Sequence, residues 1–126
     1  MILLDEVMQL HDYSLRDFGG SNGVRDLSLL ESAVNRPFQC FDGIELYPSI
    51  FEKSAALLES LLKNHPFIDG NKRTGFLAVF MLLYRNKWML TAGQEEAYNF
   101  VIKVASSQIT FKESVAWFQH HSIAIE

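Results

Sequence analysis

The chain has a single cysteine, Cys40, and only three prolines among its 126 residues. A lone thiol forms no internal disulfide, so the fold must hold by burial and hydrogen bonding, as suits a reducing cytosol. Positive charge is not in excess either. Eleven Lys and Arg stand against fifteen Asp and Glu, for a formal net charge of −4. That speaks against a general nucleic-acid binder with a basic face, while leaving room for a local cationic pocket. Long apolar runs are missing: Gly75 to Tyr84 falls far short of the roughly 20 residues a membrane span needs. Met1-Ile2-Leu3-Leu4 runs at once into Asp5 and Glu6, unlike a signal peptide. No repeat, linker or low-complexity segment divides the chain, and its composition is globular. The expectation is one domain over 1–126, cytoplasmic, with no direct contact to nucleic acid or membrane.

What is present reads as helices. Residues 3–18 place Leu3, Leu4, Val7, Met8, Leu10, Leu15 and Phe18 mostly on one stripe, and Gly19-Gly20 ends it. Asp26 predicts the N-cap of a short helix to Arg36 that turns Leu27, Leu30, Ala33 and Val34 inward, with Pro37 as its stop. Asp42-Gly43 between two apolar stretches signals a tight hairpin over 38–47. Pro48 suits the first turn of a third helix over 49–64 carrying Ile50, Leu57, Leu58, Leu61 and Leu62. The apolar run from Gly75 predicts a buried fourth helix to about Asn86, followed by an extended Trp88-Met89-Leu90. A fifth helix over 93–107 would face inward with Tyr98, Val101, Ile102 and Ala105. Thr110 and Glu113 form a capping box for a last helix to about His121. The expected fold class is all-α: a bundle of about six helices with one small hairpin.

The segment His65-Pro66-Phe67-Ile68-Asp69-Gly70-Asn71-Lys72-Arg73 concentrates the chemistry. A polar, cationic turn that opens an apolar helix binds phosphates, because free N–H groups and the positive end of the helix dipole face the anion. Gly70 lets the backbone approach a ligand, and Asn71 can cap the helix or donate to a phosphate oxygen. Lys72 and Arg73 neutralise phosphate charge, Arg73 as a bidentate fork. Asp69 can ligate Mg²⁺, which takes one or two carboxylates plus phosphate oxygens. His65, with an ordinary pKa of about 6.5, suits the removal of a proton from a hydroxyl. Together they suggest transfer of a phosphate-containing group from a nucleotide to a hydroxyl, a reaction that needs positioning and charge stabilisation. Lys72 follows Asn71 and precedes arginine, so this is not a Walker loop. Singly, each residue has a plainer role as loop, turn, cap or solvated surface. Their conjunction at one helix entrance favours a site. His65 and Asp69 as two ligands of a catalytic metal would need a third from His11, His120 or His121, and the spacing singles out none.

His65-x-Phe67-x-Asp69-x-Asn71-Lys72-Arg73 resembles the signature of the Fic/Doc family, in its death-on-curing branch. Gly19-Gly20, Val24-Arg25-Asp26-Leu27, Leu30-Glu31-Ser32-Ala33, Pro37 and Tyr47-Pro48 extend the resemblance over most of 1–90. It implies a helical Fic fold whose hairpin, at 38–47, is a flap that clamps a target peptide as an added strand. It also implies a toxin that phosphorylates a protein Ser/Thr hydroxyl, by resemblance on elongation factor Tu, and so arrests translation. ATP is then the co-substrate, bound in reversed orientation relative to AMP-transferring relatives, with Mg²⁺ at Asp69. His65 is the implied general base, and Gly70, Asn71, Lys72 and Arg73 hold the nucleotide phosphates.

AMP-transferring members usually have glycine at the position of Lys72 and a second arginine at that of Phe76, so both departures favour phosphate transfer. The alternatives are nucleotidyl transfer to a protein hydroxyl, and a non-catalytic module binding nucleotide or peptide. Thr91-Ala92-Gly93-Gln94-Glu95-Glu96 lacks the ending of the family's self-inhibiting segment. The implied regulator is therefore a separate antitoxin, with a disordered segment that folds on binding.

Overall fold

The third helix is the axis on which the others are assembled, and its sequence explains why. In the computed structural model, which describes residues 1–126, it is α3 (Ile50–Asn64), after α1 (Leu4–Phe18) and α2 (Leu27–Asn35). Ser49 caps it, accepting from the Glu52 N–H at 3.0 Å, and the Glu52 carboxylate returns to the Ser49 N–H. Pro48 therefore stands just outside the helix rather than in its first turn. Ala55, Ala56, Leu57, Leu58, Leu61 and Leu62 are all buried, an apolar surface too wide for one neighbour. It is covered by α2, by α4 (Asn71–Arg85) and by α6 (Phe111–His120). Gly75 lets α4 come close: a Cβ there would lie 3.2 Å from the Leu58 Cδ1. Each fully buried leucine contributes about 1.5–3 kcal/mol relative to exposure.

The helix ends follow their signals. Gly19, at φ 78°, terminates α1, and Asp26 caps α2 by accepting from the Leu29 N–H at 3.0 Å. Thr110 and Glu113 form the capping box of α6. Pro37 sits in a one-turn 3₁₀ segment, Arg36–Phe38, that ends α2. The hairpin forms about Asp42 (φ 54°) and Gly43 (φ 77°) with strands of two residues each, β1 (Cys40–Phe41) and β2 (Ile44–Glu45). They pair antiparallel, Cys40 with Glu45 and Phe41 with Ile44, and all four side chains face solvent. Arg36 bonds Tyr47 at 3.0 Å and Glu59 at 2.9 Å, and Lys53 pairs with Glu45 at 2.9 Å, so the hairpin is pinned at its root.

Three further expectations are corrected. Leu27, at the first position of α2, is 50% exposed rather than inward-facing, because Leu30, Ala33 and Val34 define the buried stripe without it. The fifth helix, α5 (Gln94–Ala105), buries Ala97, Phe100, Val101 and Val104, which turns Tyr98 outward, 64% exposed. The fourth helix is not buried all round: Phe80 and Tyr84 lie on an open side while Ala78, Val79, Leu82 and Leu83 face the core. Trp88–Leu90 (β3) is extended as expected, and pairs antiparallel with Ser122–Ala124 (β4), a strand too short to carry a readable pattern. No helix is long and apolar enough to cross a membrane.

Candidate active site

The loop between α3 and α4 is shaped by its own main chain and by a strap from residues 23–26. His65 closes α3 in the left-handed region, φ 51° and ψ 53°, a conformation that costs a non-glycine residue of order 1–3 kcal/mol. Arg25 holds it there. Its guanidinium donates to the carbonyls of Asn64 at 2.8 Å and His65 at 2.7 Å, two of the unsatisfied acceptors at the end of α3. The N–H groups of Arg25 and Asp26 both donate to the Pro66 carbonyl, and Ile68 donates to Gly23. Phe67 is driven into the core, 1% exposed, opposite Val24 in an antiparallel bridge. Anchored on both sides of the chain, the His65 side chain stands exposed at the rim.

Gly70, at φ 81° and ψ 17°, turns the chain into α4 and serves as its N-cap. The first intrahelical acceptor is the Gly70 carbonyl, taken by the Thr74 N–H, so the N–H groups of Asn71, Lys72 and Arg73 precede the ladder. The Asn71 side chain is committed elsewhere. Its Oδ1 accepts from the Phe67 N–H and its Nδ2 donates to the Phe67 carbonyl, both at 3.0 Å, with the residue 6% exposed. It is a brace across the loop, a role that differs from the cap or phosphate donor read from sequence. Only its main-chain N–H faces the helix start.

Asp69 accepts from the Ser21 N–H at 3.2 Å and from the Gly70 N–H at 2.8 Å. These two bonds, with the charge of Arg73 nearby, hold its carboxyl below the ordinary carboxylate range, so it stays ionised. Gly20 makes the approach possible, since a Cβ there would fall 2.7 Å from the Asp69 Oδ2. Lys72 is exposed and takes part in no ion pair. Arg73 leans toward the end of α1, donating to the Gly19 carbonyl at 2.9 Å and lying over the Phe18 ring at 5.2 Å. That leaves most of its five N–H donors free. His65, Asp69, Gly70, Asn71, Lys72 and Arg73 line a single open cavity of about 540 Å³, with Phe18 and Ile68 on the rim and Tyr98 reaching in from α5.

The residues therefore converge as the motif suggests. No group of three His, Cys, Asp or Glu side chains lies together anywhere, so a three-ligand metal centre built on His65 and Asp69 has no third ligand. His121 Nδ1 donates to the Trp117 carbonyl at 2.8 Å, and its Nε2 meets Glu96 at 3.2 Å, so this ring is engaged by α5 and α6 and not by the loop. An ionised, solvent-facing carboxylate at the mouth of a phosphate-sized cavity does fit a hydrated Mg²⁺ that takes its remaining ligands from a nucleotide. Thr91 is tied by its N–H and its hydroxyl to the His121 carbonyl, at 2.7 and 3.0 Å. Sequence reasoning missed Arg25 and Tyr98 as parts of the site, and weighed His11 only as one of three possible metal ligands. His11 lies instead on the buried stripe of α1 with Val7 and Ser14.

A model of the Fic/DOC family matches residues 2–83, about two thirds of the chain and the whole of the loop and its strap. The chain belongs to the Fic/DOC family. Two curated relatives agree with that placement. The protein named Toxin Doc, from Mycolicibacterium smegmatis, is 47% identical over 75 residues, covering 60% of this chain and 58% of that protein. The one named Protein kinase doc, from Escherichia phage P1, is 33% identical over 82 residues, covering 65% and 64%. The chain thus aligns with less than two thirds of the length of either relative. The helical architecture and the hairpin are those of a Fic-like fold, and Tyr98 lies beyond the matched segment.

Proposed function

We propose that this Fic/DOC protein is the toxin of a toxin–antitoxin pair, acting in the cytoplasm as a kinase that transfers the γ-phosphate of ATP to a Ser/Thr hydroxyl of a protein. The observation that carries this reading is the convergence of His65, Asp69, Lys72, Arg73 and the first N–H groups of α4 on one cavity. His65 takes the proton of the acceptor hydroxyl as its oxygen bonds to phosphorus. The bond to the leaving ADP oxygen breaks, and the proton passes from His65 to solvent. Lys72, Arg73 and the helix start stabilise the charge on the transferring group. Mg²⁺ bound at Asp69 would neutralise the phosphates when present. The hairpin offers an open strand edge, with Phe41 and Ile44 about 70% exposed, to which a target peptide can add. The names of both relatives support the toxin and kinase reading, and elongation factor Tu is the target we would try first.

Intact-mass spectrometry of elongation factor Tu after incubation with the protein, ATP and Mg²⁺ tests the proposal. One added phosphate, lost in His65→Ala, is expected. An added AMP would overturn phosphate transfer and favour the nucleotidyl reading. Against that reading stands Phe76, half-buried on α4 where AMP-transferring members carry a second phosphate-binding arginine. A non-catalytic module is the reading that survives if toxicity is unchanged in His65→Ala. We further propose that a separate antitoxin, through a segment that folds on binding, supplies the inhibition. Glu95 and Glu96 open α5, and Glu96 is engaged by His121 rather than by the loop.

A further inference from the structure

A buried imidazole on α1 touches the reactive loop in three places. His11 is 2% exposed, and its ring lies parallel to that of Phe67, 3.8 Å between centroids and 7° between planes. Its Nε2 is 2.7 Å from the Asp69 carbonyl oxygen. The same ring underlies Gly70, where an added Cβ would stand 3.6 Å from His11 Cδ2 and Nε2. A carbonyl oxygen can only accept, so Nε2 carries a proton and donates, in the neutral ring as in the charged one. A polar ring this deep in a protein is stable only with such a partner.

We propose that His11 is a positioning residue that locks the Asp69–Gly70 peptide in the orientation that keeps the Gly70 N–H on the Asp69 carboxylate, a role that takes the nucleotide-transfer reading of the site as given. The carbonyl and N–H of a trans peptide point in opposite directions. With the Asp69 carbonyl turned toward His11, the Gly70 N–H faces the other way and donates to the Asp69 carboxylate at 2.8 Å. Glycine at position 70 tolerates the flipped peptide as readily as the observed one. The flipped form would turn a carbonyl dipole toward the Asp69 carboxylate and take away one of the two N–H groups that orient it. His11 selects between two arrangements that Gly70 leaves open.

Two variants separate this role from general packing. His11→Phe keeps a ring against Phe67 and removes only the donor, whereas His11→Gln returns an amide N–H near the place of Nε2. In His11→Phe we expect the Gly70 amide resonance to move and affinity for Mg·ATP to fall about tenfold, the loss expected for one buried hydrogen bond, with helical circular dichroism unchanged. In His11→Gln both should return toward the wild-type values. Survival of both in His11→Phe overturns the proposal, as does a loss that glutamine fails to repair. The wild-type protein gives a check that does not depend on either variant folding. Nitrogen-15 spectroscopy must find His11 protonated at Nε2 with a slowly exchanging proton, and an Nδ1–H tautomer overturns the lock. If wild type does not bind Mg·ATP, the nucleotide reading fails, while the Gly70 resonance and the exchange rate still decide the role of His11.

Discussion

Arg25 reaches His65 through the main chain: its Nε donates to the His65 carbonyl at 2.7 Å, and its Nη2 to the Asn64 carbonyl at 2.8 Å. The His65 side chain is thus aimed by a residue that bonds only to the main chain. Arg25→Ala should free two carbonyls at the end of α3 and relax the left-handed turn at His65. Because Arg25 is exposed, the expected loss of stability is only about 1 kcal/mol. Turnover should fall further than that loss implies, read from thermal melting beside initial rates.

His65→Ala should leave the fold and the affinity for Mg·ATP in place and reduce transfer by about 10²–10⁴-fold, the usual contribution of a general base. Calorimetry for binding and mass spectrometry for product measure the two separately. Parallel losses of both would remove His65 from the role of base.

Arg73→Ala should weaken nucleotide binding itself by about tenfold, since it deletes charge-assisted contacts to phosphate. Its only internal bond, to the Gly19 carbonyl, is at an exposed site, so melting should barely change. Unaltered affinity for ATP would show that Arg73 serves the end of α1 and not the ligand.

Gly20→Ala places a Cβ 2.7 Å from the Asp69 Oδ2, at a backbone φ of 120° that an alanine rarely adopts. The carboxylate must shift. Mg²⁺-dependent binding of nucleotide should fall while metal-free binding is nearly unaffected. Titrating Mg²⁺ against a fixed nucleotide concentration distinguishes this from a general loosening of the loop.

Acid stability has a separate source, on the far side of α1. The Arg85 guanidinium, followed by the Leu3 N–H, lowers the Glu6 carboxyl from an ordinary 4.5 to about 2. A carboxyl depressed in the folded state stabilises above its unfolded pKa, and the effect is lost as pH falls through the folded value. Wild type should therefore melt above Glu6→Gln from pH 7 down to about 5. The gap should close between pH 4.5 and about 2. A gap independent of pH would mean that Glu6 acts by packing alone.

Local chemistry was readable in advance and tertiary choice was not. Asp26, and Thr110 with Glu113, begin their helices by bonds within four residues, so their positions follow from sequence. Asp42-Gly43 makes its turn for the same reason. His65, Asp69, Lys72 and Arg73 come together because one short loop carries them all. Asn71 was misjudged because its partner, Phe67, becomes available only when the strap buries the loop. His11 is 58 positions from the carbonyl it meets, and Tyr98 arrives from another helix. Nor does sequence state which side of α5 will be inner, since Tyr98 and Phe100 are equally apolar choices until α6 supplies Trp117 to stack on Phe100 at 3.8 Å.

Tyr98 gives the cavity a wall from a second part of the chain. The loop, the strap and α1 fall inside residues 2–83 that the Fic/DOC family shares, whereas α5 falls outside them. Change on α5 can reshape the cavity without disturbing the side chains that the loop brings to it. A different residue in place of the exposed Tyr98 would redraw that outer wall while leaving the strap, the brace and the helix start as they are.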